Sequence, residues 1–88
     1  MVSKKVTVIN AQGFHMRPAT VFAGEMGKFK SDIRIEVKDK IIDGKSLMNI
    51  ISACIKCGTE ITVFCEGEDE NAALEKAVSM FESGLGEN

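Results

Sequence analysis

The sequence predicts an α+β fold: a two-layer open-faced sandwich in βαββαβα order, whose four-stranded antiparallel sheet carries three helices on one face. Three observations predict it. Apolar residues alternate at period two around Val6 and Val8, through Ile33, Ile35 and Val37, and through Ile61, Val63 and Cys65. Between and after these stretches they recur at helical spacing. The alternating partners Arg34, Glu36, Lys38 and Thr62 are polar, so one sheet face stays wet and the helices must pack on the other.

Residues 2–9 form the first strand and residues 10–15 a glycine-containing loop. A first helix over residues 17–28 places Ala19, Phe22, Ala23 and Met26 on one stripe. The second strand spans Ile33 to Val37. Lys38-Asp39-Lys40 turns the chain into a short strand at Ile41 and Ile42, which Asp43-Gly44 breaks. Ser46 is a good N-cap for a short second helix whose Leu47, Ile50, Ile51 and Cys54 recur at helical spacing. After Gly58 comes the fourth strand, where Phe64 makes the outer face less polar than the pattern asks. Glu68, Asp69 and Glu70 put negative charge at the start of a third helix, where the dipole favours it. Its stripe is Leu74, Ala77, Val78 and Phe81. Gly84 suits a left-handed C-terminal cap with Leu85 folding back on that stripe.

At 88 residues the chain has room for one core, so residues 1–88 read as a single domain. A net charge of −2 and a pI near 5.4 argue against nucleic acid as a partner. No apolar run approaches a membrane span, and the alternation after Lys5 is unlike a signal peptide. An odd count of three cysteines does not fit a secreted disulfide framework. The expected location is the cytoplasm, with reduced thiols and no membrane insertion.

The chemistry-bearing stretch is Gly13-Phe14-His15-Met16-Arg17-Pro18-Ala19, which holds the one histidine and the one proline of the chain. Proline has no N–H to donate, and the first turn of a helix does not need one. His15 therefore falls just before or at the N-cap, where free N–H groups and the positive end of the dipole favour an anion. Arg17 adds a guanidinium fork suited to phosphate oxygens. A lone histidine is ordinarily a satisfied or merely exposed one; the adjacent arginine, proline and helix tilt this one toward phosphoryl chemistry. Imidazole is a nucleophile near neutral pH, and phosphoryl transfer asks little more than an in-line nucleophile and compensation of charge on the equatorial oxygens.

These residues resemble the active-site signature of HPr, the histidine-containing phosphocarrier family of the bacterial sugar phosphotransferase system. Lys45-Ser46-Leu47-Met48, with Ile51 after it, resembles that family's regulatory serine segment, and the resemblance continues through 66–74 and the closing Gly84-Leu85-Gly86-Glu87. It implies that His15 accepts a phosphoryl group, through Nδ1, from enzyme I and passes it to IIA domains of sugar transporters, with Arg17 stabilising the phosphate. It implies regulatory phosphorylation of Ser46 by an ATP-dependent HPr kinase/phosphorylase, with a catabolite-control transcription factor as a further partner. Met16, Thr20, Leu47, Met48 and Ile51 are the expected partner-binding residues, with Met48 exposed. The protein is then a carrier that is itself modified, not an enzyme, and needs neither cofactor nor metal. The rivals are a regulatory module on the same fold, whose members lack the histidine, and a nitrogen-branch phosphocarrier.

Cys54-Ile55-Lys56-Cys57 is a CxxC at the end of a helix, where no positive helix end activates the thiols. As a zinc site it supplies two ligands, and Cys65 and His15 lie in other elements. Small, partly buried thiols are expected. Cys54 stands where the family usually has glycine, Met16 replaces a smaller residue, and Asp39 replaces a turn glycine, a left-handed position that aspartate tolerates. Gly24 lacks the basic residue of some relatives, leaving Lys28 and Lys30 to supply positive charge.

Overall fold

Alternation builds the sheet. The computed structural model describes residues 1–10 and 13–85, and its strands are β1 (Val2–Thr7), β2 (Asp32–Val37), β3 (Lys40–Asp43) and β4 (Glu60–Glu66). They lie in the order β1-β4-β2-β3, every pair antiparallel. Ile33, Ile35 and Val37 are buried on one face together with Ile61, Val63 and Cys65, while Asp32, Arg34 and Glu36 are exposed on the other. Phe64 belongs to the outer face, half-buried and flanked in register by Ser3 and Arg34.

Three helices, α1 (Met16–Met26), α2 (Leu47–Ser52) and α3 (Glu70–Glu82), cover the apolar face. The α1 stripe is as expected: Ala19, Phe22 and Met26 are fully buried. In α3 the buried face is centred on Ala73, Ala77, Met80 and Phe81, with Leu74 and Val78 only half-buried at its margin. Phe14, Phe22 and Phe81 meet with ring centroids 5.1–5.5 Å apart, two of the three pairs edge to face, and join the His15 loop to α1 and α3.

Several details expected from sequence shift. β1 ends at Thr7, yet Val8 continues its pairing irregularly: its N–H donates to the Thr59 carbonyl at 3.0 Å and its carbonyl accepts from Gly58 at 2.7 Å. The first helix starts one residue early, at Met16, and stops at Met26, where Gly27 caps it. The second ends at Ser52, so Cys54 lies beyond it, in left-handed backbone at φ 52°. At the β2–β3 turn the left-handed residue is Lys38 (φ 55°), not Asp39.

The ends of α3 are fixed by tertiary contacts. Gly84 takes φ 78° and the Leu85 N–H donates to the Met80 carbonyl at 2.7 Å, a Schellman-type closure that buries Leu85. Buried Asn10 clamps the same end, its Nδ2 donating to the Gly84 carbonyl at 2.7 Å. At the other end Asp69 is the N-cap by position but makes no side-chain cap bond. Its carboxylate accepts instead from the N–H groups of Lys30 and Ser31 and from the Ser31 hydroxyl, pinning the start of β2. The Ser31 hydroxyl bond and then the Lys30 amide hold the Asp69 carboxyl down at about 2. Among the described residues, no helix is long and apolar enough to cross a membrane.

Candidate functional site

His15 is the N-cap of α1, with extended backbone (φ −88°, ψ −167°) and no side-chain cap bond. An N-cap side chain ordinarily accepts from the second or third N–H of its helix. Here the third helical residue is Pro18, which has none to offer, so of the two usual capping donors only the Arg17 N–H is present. The ladder begins with the Ala19 N–H donating to the His15 carbonyl at 2.9 Å. The Met16 and Arg17 N–H groups precede it and have no intrahelical acceptor. No acidic residue lies in the first turn, so the positive helix end is left for an external anion. The ring is half-buried, with Nδ1 3.3 Å from the Gly13 carbonyl oxygen. Arg17 sits exposed on the same turn.

The loop that carries His15 is held from both sides. Phe14 is buried in the aromatic cluster, and its N–H donates to the Ile55 carbonyl at 2.8 Å. Gly13 (φ 73°) packs so closely on residues 55–57 that a β-carbon there would lie 2.6 Å from the Ile55 oxygen and 2.8 Å from the Lys56 α-carbon. Ile55 and Lys56 are therefore the platform of the site. Sequence reasoning missed them; the only signal was a glycine two residues before the histidine.

A groove of about 300 Å³ runs beside His15, lined by Phe14, Met16, Ile51, Cys54, Ile55 and Lys56. It brings two of the expected docking residues, Met16 and Ile51, next to the histidine. Met16 is 57% and Met48 72% exposed, as expected of Met48. Leu47 and Ile51 are half-buried, and one helical face carries Leu47, Met48 and Ile51 together. Thr20 is exposed, its hydroxyl donating to the Met16 carbonyl at 2.7 Å. Lys28 is paired with Glu25 at 2.6 Å and Lys30 lies 3.8 Å from Glu68, so both cations already have acidic neighbours.

Ser46 caps α2. Its hydroxyl oxygen accepts from the Asn49 N–H at 3.3 Å and from Asn49 Nδ2 at 3.1 Å, and its carbonyl accepts from Ile50 at 3.1 Å. Lys45, beside it, donates from Nζ to the Phe29 carbonyl at 2.8 Å, tying this segment to the loop after α1.

The cysteines correct an expectation. Cys54 and Cys57 are exposed, not partly buried, because the left-handed turn at Cys54 sends the chain outward and Ile55 takes the core position between them. Cys65 is the buried one; burial, reinforced by Glu70 and Asp69, pushes its thiol up to about 11. Among the described residues, no group of three or more His, Cys, Asp or Glu side chains is placed to hold a metal ion.

An open-faced βαββαβα sandwich with a histidine at the mouth of its first helix has the layout of a small phosphocarrier protein. Comparison with known proteins supplies the family. Residues 2–83 match the family model described as the PTS HPr component phosphorylation site. The chain is 42% identical over 76 residues to the HPr-like protein Crh of Bacillus subtilis, covering 86% of this chain and 89% of that protein. It is 39% identical over 75 residues to the phosphocarrier protein HPr of Mycoplasma capricolum, covering 85% and 84%. The crystal structure of HPr-C-His from Thermoanaerobacter tengcongensis superposes with a TM-score of 0.96 at 34% identity, covering 100% of this chain and 99% of that one. The chain belongs to the HPr family of phosphocarrier proteins.

Proposed function

We propose that the protein carries a phosphoryl group on His15, accepted from phospho-enzyme I and passed to IIA domains of sugar transporters. The observation that carries this reading is the place of His15 at the N-cap of α1, with Arg17 in a first turn that holds no acid. In the transfer an imidazole lone pair attacks phosphorus in line as the bond to the donor's nitrogen breaks, and the phosphoryl group leaves by the same route in reverse. The Gly13 carbonyl oxygen can only accept, so its contact with Nδ1 suits a resting tautomer protonated there. Attack through Nδ1, the atom the family resemblance assigns, requires the proton on Nε2 and the opening of this 3.3 Å contact. Once formed, the phosphate faces the Met16 and Arg17 N–H groups and the Arg17 guanidinium.

Reversibility sets the strength of such a site. An exposed helix end contributes about 0.3–1 kcal/mol per charge, enough to favour the phosphorylated state without trapping it. Met16, Thr20, Leu47, Met48 and Ile51 form the docking surface in this reading. Phosphorylation of Ser46 by an HPr kinase/phosphorylase then adds a dianion beside Leu47, Met48 and Ile51, weakening docking without refolding the helix it caps.

The 42% identity with Crh, the B. subtilis catabolite repression HPr, supports a second reading, a regulatory module working through Ser46 and a transcription-factor partner. The presence of His15 favours the carrier. Incubation with enzyme I and phosphoenolpyruvate, followed by intact mass, decides between them. The carrier gains one acid-labile phosphate that His15→Ala lacks; no gain with a competent enzyme I supports the regulatory module.

A further inference from the structure

We propose that Cys54 and Cys57 form a thiol-modification site, in which a low-molecular-weight disulfide oxidises them to a Cys54–Cys57 bond that slows phosphotransfer at His15. The coupling to His15 rests on the phosphocarrier reading. The argument comes from what lies between the two cysteines. Both thiols are exposed, and the Ile55-Lys56 segment separating them belongs to no helix or strand. That segment is also the platform of the site: the Ile55 carbonyl accepts from Phe14, and Gly13 packs against the Ile55 oxygen and the Lys56 α-carbon. The groove beside His15 is lined by Cys54, Ile55 and Lys56 as well. A bond closing a four-residue ring therefore acts directly on the backbone that seats the histidine.

The exchange is balanced. One cysteine thiolate attacks a sulfur of the small disulfide, releasing one small thiol and leaving a mixed disulfide on the protein. The second cysteine attacks the protein-side sulfur, releasing the second small thiol as the Cys54–Cys57 bond forms. The protein loses two electrons and two protons, and the reagent is reduced to two thiols. Cys65 stands outside this chemistry: it is buried, so its substitution is the internal control.

The test treats the full-length protein with glutathione disulfide. Intact mass and alkylation report the bond, backbone NMR reports Gly13 and Phe14, and enzyme I with phosphoenolpyruvate reports His15. Expected is the loss of two hydrogens and of two alkylatable thiols in the wild type and in Cys65→Ser, but not in Cys54→Ser or Cys57→Ser. The oxidised protein should show shifted Gly13 and Phe14 amides and roughly tenfold slower phosphorylation, as a small misplacement of a reacting group produces, with full recovery after dithiothreitol. Stable glutathione adducts without ring closure overturn the proposal, as does a closed bond with an unchanged phosphorylation rate. Reduced wild type that takes up no phosphate from a competent enzyme I overturns the phosphocarrier reading and the coupling with it, while mass alone still decides whether the bond forms.

Discussion

Gly13 rests against Ile55 so tightly that a methyl group on its α-carbon would come within 2.6 Å of the Ile55 carbonyl oxygen, the same oxygen that accepts from Phe14 at 2.8 Å. Gly13 also holds φ 73°, a conformation costing a residue with a β-carbon about 1–2 kcal/mol. Gly13→Ala should therefore push the His15 loop off its platform. The expected result is a lower urea midpoint together with slower phosphorylation by enzyme I. A variant that loses stability but keeps the wild-type rate would show that the platform does not position the histidine.

Arg17 is exposed and free to swing onto a phosphate. A hydrogen bond to a charged group contributes about 1.5–3 kcal/mol, so Arg17→Ala should slow transfer by roughly ten- to a hundredfold. Thermal stability should stay near wild type, since the side chain is not packed. Single-turnover phosphorylation measured beside a melting curve separates the two effects, and Arg17→Lys should recover only part of the rate because the fork is lost.

Ser46 separates capping from charge. Ser46→Ala removes the acceptor for the Asn49 N–H and should cost about 1 kcal/mol, visible as a fall in melting temperature. Ser46→Asp keeps a capping oxygen and should melt near wild type. It places a charge beside Met48 and Ile51, however, and should raise the KM for phosphorylation by enzyme I.

Asp69 gives the fold an acid limit. Its carboxyl, held by Ser31 and Lys30, sits at about 2, below the ordinary 3.8. A group lowered in the folded state stabilises it fully above 3.8, and that contribution is lost as pH falls through about 2. Asp69→Ala should lower the urea midpoint near neutral pH, and the gap to wild type should close as the acid range is entered. A gap that persists undiminished at pH 2 would locate the effect in packing and not in the charge.

The strands and helices were legible because each buries one face, and a buried face writes its period into the sequence. Ile33, Ile35 and Val37 needed nothing more. The helix mouth at His15 was equally legible, since a proline suits the first turn of a helix, where no backbone donor is needed. Asp69 stands at the start of α3 as read, but its hydrogen-bond partners, Lys30 and Ser31, were not legible because they lie 38–39 residues away. The CxxC was misread as partly buried because nothing local foretells the left-handed turn at Cys54.

By itself the sequence determined which faces are apolar, the order of the strands and helices along the chain, and that a histidine and an arginine stand at the mouth of the first helix, all properties of neighbours along the chain. Only the tertiary structure decided that residues 55–57 support Gly13 and Phe14, and that Cys54 and Ile51 share a groove with His15. Those contacts join segments some forty residues apart. They exist because closing the sheet and burying the three phenylalanines bring the two loops together, and no local pattern encodes that distance.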